Sequence, residues 1–154
     1  MGFLDKLKGA VNAVTGGAAK VTMEFEPKAV YPGDVVRVKI SATSAGGEVK
    51  SKGIFVDLMG SENVKLPKGT VQNHNEEIHA AKTTFQHEFQ IAPALVLAAK
   101  ETKLFEGTFT VPANVQPSYQ GSFTRHECKI QGRMEAFGND PDSGWMDLKI
   151  GAKN

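Results

Sequence analysis

The chain reads as a series of two-residue alternations interrupted by proline and glycine. From Lys20, Val21, Met23 and Phe25 alternate with Thr22, Glu24 and Glu26, which predicts a strand with one buried face. Val36, Val38, Ile40 and Ala42 then oppose Arg37, Lys39 and Ser41. A third run, Lys50 to Met59, turns Ile54, Val56 and Leu58 inward and Phe55 and Asp57 outward. Phe85, His87, Phe89 and Ile91 alternate with Gln86, Glu88 and Gln90. Phe105, Gly107, Phe109 and Val111 alternate with Glu106, Thr108 and Thr110. In the next run Thr124, His126, Cys128 and Ile130 share one face, and Phe123, Arg125, Glu127, Lys129 and Gln131 share the other. Trp145 to Ile150 predicts a closing strand.

The breakers divide these runs. Pro27 and the turn Tyr31-Pro32-Gly33-Asp34 separate the first two strands. Ala45-Gly46-Gly47-Glu48 reads as a hairpin-type turn. Gly60 to Ala81 lacks a sustained period and reads as a long polar loop with a short strand near Val71. Ala92 to Lys100 fits either a helical turn or a continuing strand with a bulge. Pro112 ends its strand because proline donates nothing to a ladder, and Ala113 to Gln120 reads as a rigid, ordered crossing loop. Seven or eight short strands with such punctuation predict a mainly β, immunoglobulin-like antiparallel β-sandwich.

The first residues follow a helical period instead of the period of two. Phe3, Leu4, Leu7, Ala10, Val11 and Val14 fall on one stripe at helical spacing, with Asp5, Lys6, Lys8 and Asn12 off it. This predicts a short amphipathic helix, ended by the Gly16-Gly17 hinge. Charges within the stretch argue against a secretory signal, and Lys6 stands where a myristoylation signature wants Ser or Thr. The division is therefore residues 1–19 as helix and hinge, and residues 20–154 as one sandwich. The helix either packs on its own sheet or mediates contact with a partner, a second copy or a membrane surface. Phe3, Leu4, Leu7, Val11 and Val14 are the candidate partner-binding residues.

Two pieces of the chain resemble arrestin-like domains. One is a Phe-x-Val-Pro strand end followed by Pro-Ser-Tyr-x-Gly: Phe109, Val111 and Pro112, then Pro117, Ser118, Tyr119 and Gly121. The other is Tyr31-Pro32-Gly33-Asp34 leading into Val35 to Ser41. Together with the tail Gly138-Asn139-Asp140-Pro141-Asp142, they are similar to bacterial arrestin-like proteins of the sporulation-control type. The resemblance covers about residues 20 to 150. It implies an arrestin-like sandwich in which Pro32, Gly33, Pro112, Pro117, Tyr119 and Gly121 are structural, and an adaptor or scaffold role. Arrestin-like domains have a Gly-containing turn near Ala99-Lys100-Glu101, and here no Gly is present. Arrestins join two sandwiches, and this length suits one, so receptor binding is not carried over.

Composition narrows the function. The 154 residues carry 18 basic and 17 acidic side chains for a net charge of +1. Arg37, Arg125 and Arg133 are the only arginines, and no basic block argues for nucleic acid. A single cysteine excludes an intrachain disulfide and suits a reducing, cytoplasmic compartment. No apolar run is long enough to span a bilayer as a helix.

The chemistry-bearing residues form no recognisable catalytic set. Cys128 and His126 share a strand face about 7 Å apart, without an orienting third group, and Cys128 reads as a small buried hydrophobe. His74, His79 and His87 have no short chelating spacing, and Asn139 to Ser143 reads as an Asx-type turn rather than a calcium loop. The expectation is a non-enzymatic protein-interaction module without metal or cofactor. The alternative is a membrane-surface or stress-protective sandwich protein. Tyr119 is expected to pack inward with its hydroxyl on backbone, and Trp145 to be largely buried.

Overall fold

The computed structural model describes residues 18–136, 138 and 140–152. Eleven strands follow one another: β1 (Ala19–Glu26), β2 (Ala29–Val30), β3 (Val35–Ser44), β4 (Val49–Leu66), β5 (Ile78–Ala92), β6 (Leu95–Leu97), β7 (Thr102–Thr110), β8 (Tyr119–Gln120), β9 (Thr124–Ala136), β10 (Met146–Asp147) and β11 (Lys149–Ile150). The small sheet runs β1-β3-β7 and the large sheet β10-β9-β4-β5, with β6 on β4 and β8 on β9. Short β11 pairs in parallel with β2.

The inward rows read from the alternation form the core. Val21, Met23 and Phe25 of β1 meet Val36, Val38, Ile40 and Ala42 of β3 across one sheet. Ile54, Val56 and Leu58 of β4 and Cys128, Ile130 and Met134 of β9 line the other. Phe89 of β5 stacks on Phe109 of β7 with centroids 4.7 Å apart, which ties the two sheets along one side.

Four expectations from the sequence are corrected. Ala45 to Glu48 closes no hairpin: β3 and β4 lie in different sheets, and the segment carries the chain between them, with the Ala45 amide donating to the Ala18 carbonyl at 3.0 Å. Residues 60–81 are no long loop. β4 runs on to Leu66 and β5 begins at Ile78, so the loop shrinks to the turn residues between, and Val71 lies in that turn, its carbonyl accepting from His74. These strand ends outrun the small sheet, are half-buried or exposed on both faces, and so need no apolar row. The stretch at Ala92 resolves as β6 plus a turn in which Lys100 takes φ 60°, the left-handed conformation that a glycine would adopt more easily. Trp145 to Ile150 is two strands on two sheets rather than one, divided at buried Leu148, whose amide donates to the Cys128 carbonyl.

Candidate functional site

One end of the sandwich gathers the residues of both arrestin-like pieces. Pro32 and Gly33 form a tight turn in which Gly33 has φ 91°, a conformation that favours glycine. The Gly33 amide donates to the Val111 carbonyl at 2.8 Å, and the Val111 amide donates to Asp34 at 2.8 Å. The two pieces, nearly eighty residues apart, are thus one hydrogen-bonded unit at the end of β7. Pro112 follows and the crossing loop begins, anchored by buried Val115.

His126 holds the far side of that loop. The ring is 1% exposed, on the inward row of β9. Its Nδ1 lies 2.9 Å from the Pro117 carbonyl, which can only accept, so Nδ1 carries the proton. Nε2 then accepts from the Thr84 hydroxyl at 2.6 Å. Thr84 reaches the ring because β5 has an extra residue here: Phe85 pairs with Gly60 and Thr83 with Ser61, a bulge that turns Thr84 to the inner face. Gly60 allows this, since a Cβ there would stand 2.2 Å from the Phe85 ring. The Gly121 amide donates to Thr124 at 2.7 Å and closes the turn into β9.

Tyr119 corrects an expectation. It is 40% exposed, and its hydroxyl donates to the Glu62 carboxylate at 2.5 Å rather than to backbone. β8 sits at the margin of the large sheet, so the ring lies over His126 instead of entering the core. The bond raises the pKa of Tyr119, and it lowers that of Glu62 with help from Gln116. Trp145, expected to be buried, is 41% exposed, because it precedes β10 at the sheet edge. Cys128 is buried, and burial pushes its thiol up to about 12, so the neutral form prevails and the side chain acts as packing.

A second cluster was missed by sequence reasoning. On the outward face of the large sheet Asp57 and Glu88 are direct cross-strand neighbours, two like charges. Arg133 lies between them. Its Nε and Nη2 donate to the two Asp57 oxygens at 2.9 and 3.1 Å, Nη2 also reaches Glu88, and Nη1 donates to Asp140 at 3.0 Å. Gln131 adds a bond to Asp57 at 2.9 Å, and Phe55 lies under the guanidinium at 5.0 Å. Hydrogen bonds to Asp57 hold the pKa of Arg133 above its ordinary value. The signal was present in the sequence as two outward carboxylates at matched positions of paired strands, but only the register discloses it.

The two edges of the large sheet differ. β9 is covered almost along its length: β8 pairs at Arg125 and His126, β10 at Lys129 and Ile130, and the residues around Asp140 to Ser143 hydrogen-bond to Gly132, Arg133, Met134 and Ala136. β5 pairs with β4 alone. Its upper half leans on β7 through Phe89 and Ile91, while from Ile78 to Thr83 its outer edge has no strand beside it among the described residues. On the other side of this stretch, away from its free edge, a groove of about 640 Å³ lies over Asn63 to Lys65 of β4, bordered by His79, Ala80 and Ala81 on one side and by Phe123 and Arg125 on the other. Among the described residues no group of three or more His, Cys, Asp or Glu is placed to hold a metal, and no helix is long and apolar enough to cross a membrane. The candidate partner-binding residues Phe3, Leu4, Leu7, Val11 and Val14 lie outside the described residues.

The comparison with solved structures supports the fold. The chain is similar to the crystal structure of Spo0M, a sporulation control protein from Bacillus subtilis, with a TM-score of 0.62 and 22% identity over 89% of this chain and 51% of that one. The chain thus spans about half the length of that structure. No family model matches, and no curated protein matches by sequence. The fold is a mainly β, antiparallel, arrestin-like sandwich.

Proposed function

We propose that the protein is a non-enzymatic interaction module, an arrestin-like adaptor or regulator, that engages protein partners through the open edge of its large sheet and through the apolar residues Phe3, Leu4, Leu7, Val11 and Val14 of its N-terminal stretch. One observation supports the edge: β9 is capped by three separate segments, while the outer edge of β5 has no strand beside it from Ile78 to Thr83 among the described residues. Unpaired edges invite strand addition, and folds that do not use them usually cover them. The similarity to a sporulation control protein is in keeping with a regulatory role. Crossing loop and Arg133 cluster both serve rigidity in this reading, holding β4 and β9 so that β5 is presented in fixed register.

The test is affinity capture with cross-linking. The intact chain, a chain starting at Ala18, and a chain with its β5 edge blocked by proline serve as baits. The expected result is a defined partner set that shrinks with either alteration while the melting temperature is kept. Capture indifferent to both alterations would overturn the reading.

A further inference from the structure

The small sheet shows how this protein arranges charge across strands. Its outward row Glu24, Lys39, Glu106 runs acid, base, acid over three neighbouring strands, with Lys39 and Glu106 3.5 Å apart. Opposite charges on directly paired positions stabilise a sheet, and like charges do the reverse. The large sheet carries a comparable row that stops short. Glu62 of β4 pairs with Lys82 of β5, whose charge contributes to lowering the pKa of Glu62, and beyond Lys82 no strand follows among the described residues. Lys82 is exposed.

The neighbours of Lys82 on this stretch are small. Ala80 and Ala81 are exposed and offer almost no side chain to an incoming strand, and Thr83 adds little more. They leave backbone amides and carbonyls accessible, and they leave room for large side chains on whatever pairs with them. The groove over β4, on the side of β5 away from this edge, is lined by Lys65, His79 and Arg125 and by no carboxylate, with half-exposed Phe123 as an apolar wall. Lys65 and His79 share the nearby Glu77 at 3.2 Å each, and Arg125 reaches Glu127 at 3.5 Å, all at exposed sites where such pairs exchange readily.

We propose that the free edge of β5, from Ile78 to Thr83, accepts an extended acidic segment of a partner protein as an added strand, with a carboxylate opposite Lys82 and bulky apolar residues opposite Ala80 or Ala81. The proposal rests on the reading of this edge as a contact surface and adds the chemistry of what binds it. Main-chain hydrogen bonds supply affinity, and Lys82 supplies selection against basic segments.

The probes are two capped octapeptides, Thr-Val-Glu-Val-Glu-Val-Glu-Thr and its lysine counterpart, titrated into the full chain and followed by amide chemical shifts. Successive amides of a strand point to opposite sides, so of Ala80→Pro and Ala81→Pro one removes an outward N–H and keeps the β4 ladder. An unchanged melting temperature identifies that variant. The expected result is binding of the acidic peptide with shifts centred on Ile78 to Thr83 of β5, weakening as salt rises. Lys82→Glu should weaken it roughly tenfold, and the outward proline should abolish it. Equal binding of both peptides, indifferent to Lys82→Glu, would overturn the acidic chemistry and leave the edge reading standing. Binding of neither would overturn the proposal, with the capture experiment then deciding on the edge itself. A chain that sediments as a dimer, and becomes a monomer with the outward proline, would show that a second copy occupies the edge and would likewise overturn it.

Discussion

The outward faces of the two sheets look alike in the sequence and behave differently in the fold. On the small sheet Arg37 meets Glu26 at 2.6 Å with both side chains in water, 72% and 67% exposed. On the large sheet Arg133 meets Asp57 at 2.9 Å with the two side chains 13% and 12% exposed. Both arginines sit in polar rows of strongly alternating strands. The difference is what lies over them. Nothing among the described residues covers Arg37, whereas Glu88, Gln131, Phe55 and Asp140 close around Arg133. A polar row therefore marks which way side chains point, and says nothing about how much water reaches them.

Charge pairs separate by energy along this line. Exposed pairs are screened and contribute little, whereas removing one partner of a buried pair strands the other charge. Arg133→Ala should give the largest effect, a loss of about 3 to 5 kcal/mol in urea unfolding, because Asp57 and Glu88 are left facing each other. Arg133→Met combined with Asp57→Leu should recover much of that loss. A double variant as unstable as Arg133→Ala would mean that the cluster does more than neutralise itself.

The inner face of the same sheet offers a comparison by pH. Burial pushes the Cys128 thiol from its ordinary 9.0 up to about 12 in the folded chain. Between those values the folded chain keeps a proton that the unfolded chain has released. Stability is thus fully present below pH 9 and falls as pH rises toward about 12, by up to roughly 1.4 kcal/mol per unit. Cys128→Ala should flatten that slope relative to the parent, whatever it does to stability at neutral pH. Parallel slopes would contradict the burial of the thiol.

His126→Phe tests the crossing loop. It keeps the ring's bulk but leaves the Pro117 carbonyl and the Thr84 hydroxyl without a partner, so a loss of about 1 to 3 kcal/mol is expected. Faster hydrogen exchange at Ser118 and Gly121 should accompany it. Unchanged exchange there would show that Ser118 and Ile150 alone secure the loop.

Arg37→Ala should have the smallest effect, about 0 to 1 kcal/mol and less at high salt. A loss approaching that of Arg133→Ala would erase the contrast between the two faces.

Much of the sandwich was legible in the chain because a strand with one buried face writes its alternation directly into the sequence. The inward rows of β1, β3, β7 and β9 follow from Val21 to Phe25, Val36 to Ala42, Phe105 to Phe109 and His126 to Ile130, and the Pro-Gly turn and Pro112 fall where the breakers stood. The lower halves of β4 and β5 were illegible for the same reason reversed. Beyond the small sheet they bury neither face fully, so Gly60 to Ala81 shows no period although half of it is paired backbone.

What the sequence determined by itself is local: where the chain extends, which side of each strand is apolar, and where it must turn. These follow from side-chain period and backbone sterics, which act over a few residues. The tertiary structure alone decided which strands became neighbours. That choice sent Ala45 to Glu48 between sheets, set Asp57 against Glu88 with Arg133 between them, left Tyr119 and Trp145 half in water, and uncovered β5 while β9 was capped. Each depends on pairing between residues distant in sequence, and the period of a single strand carries no information about its partner.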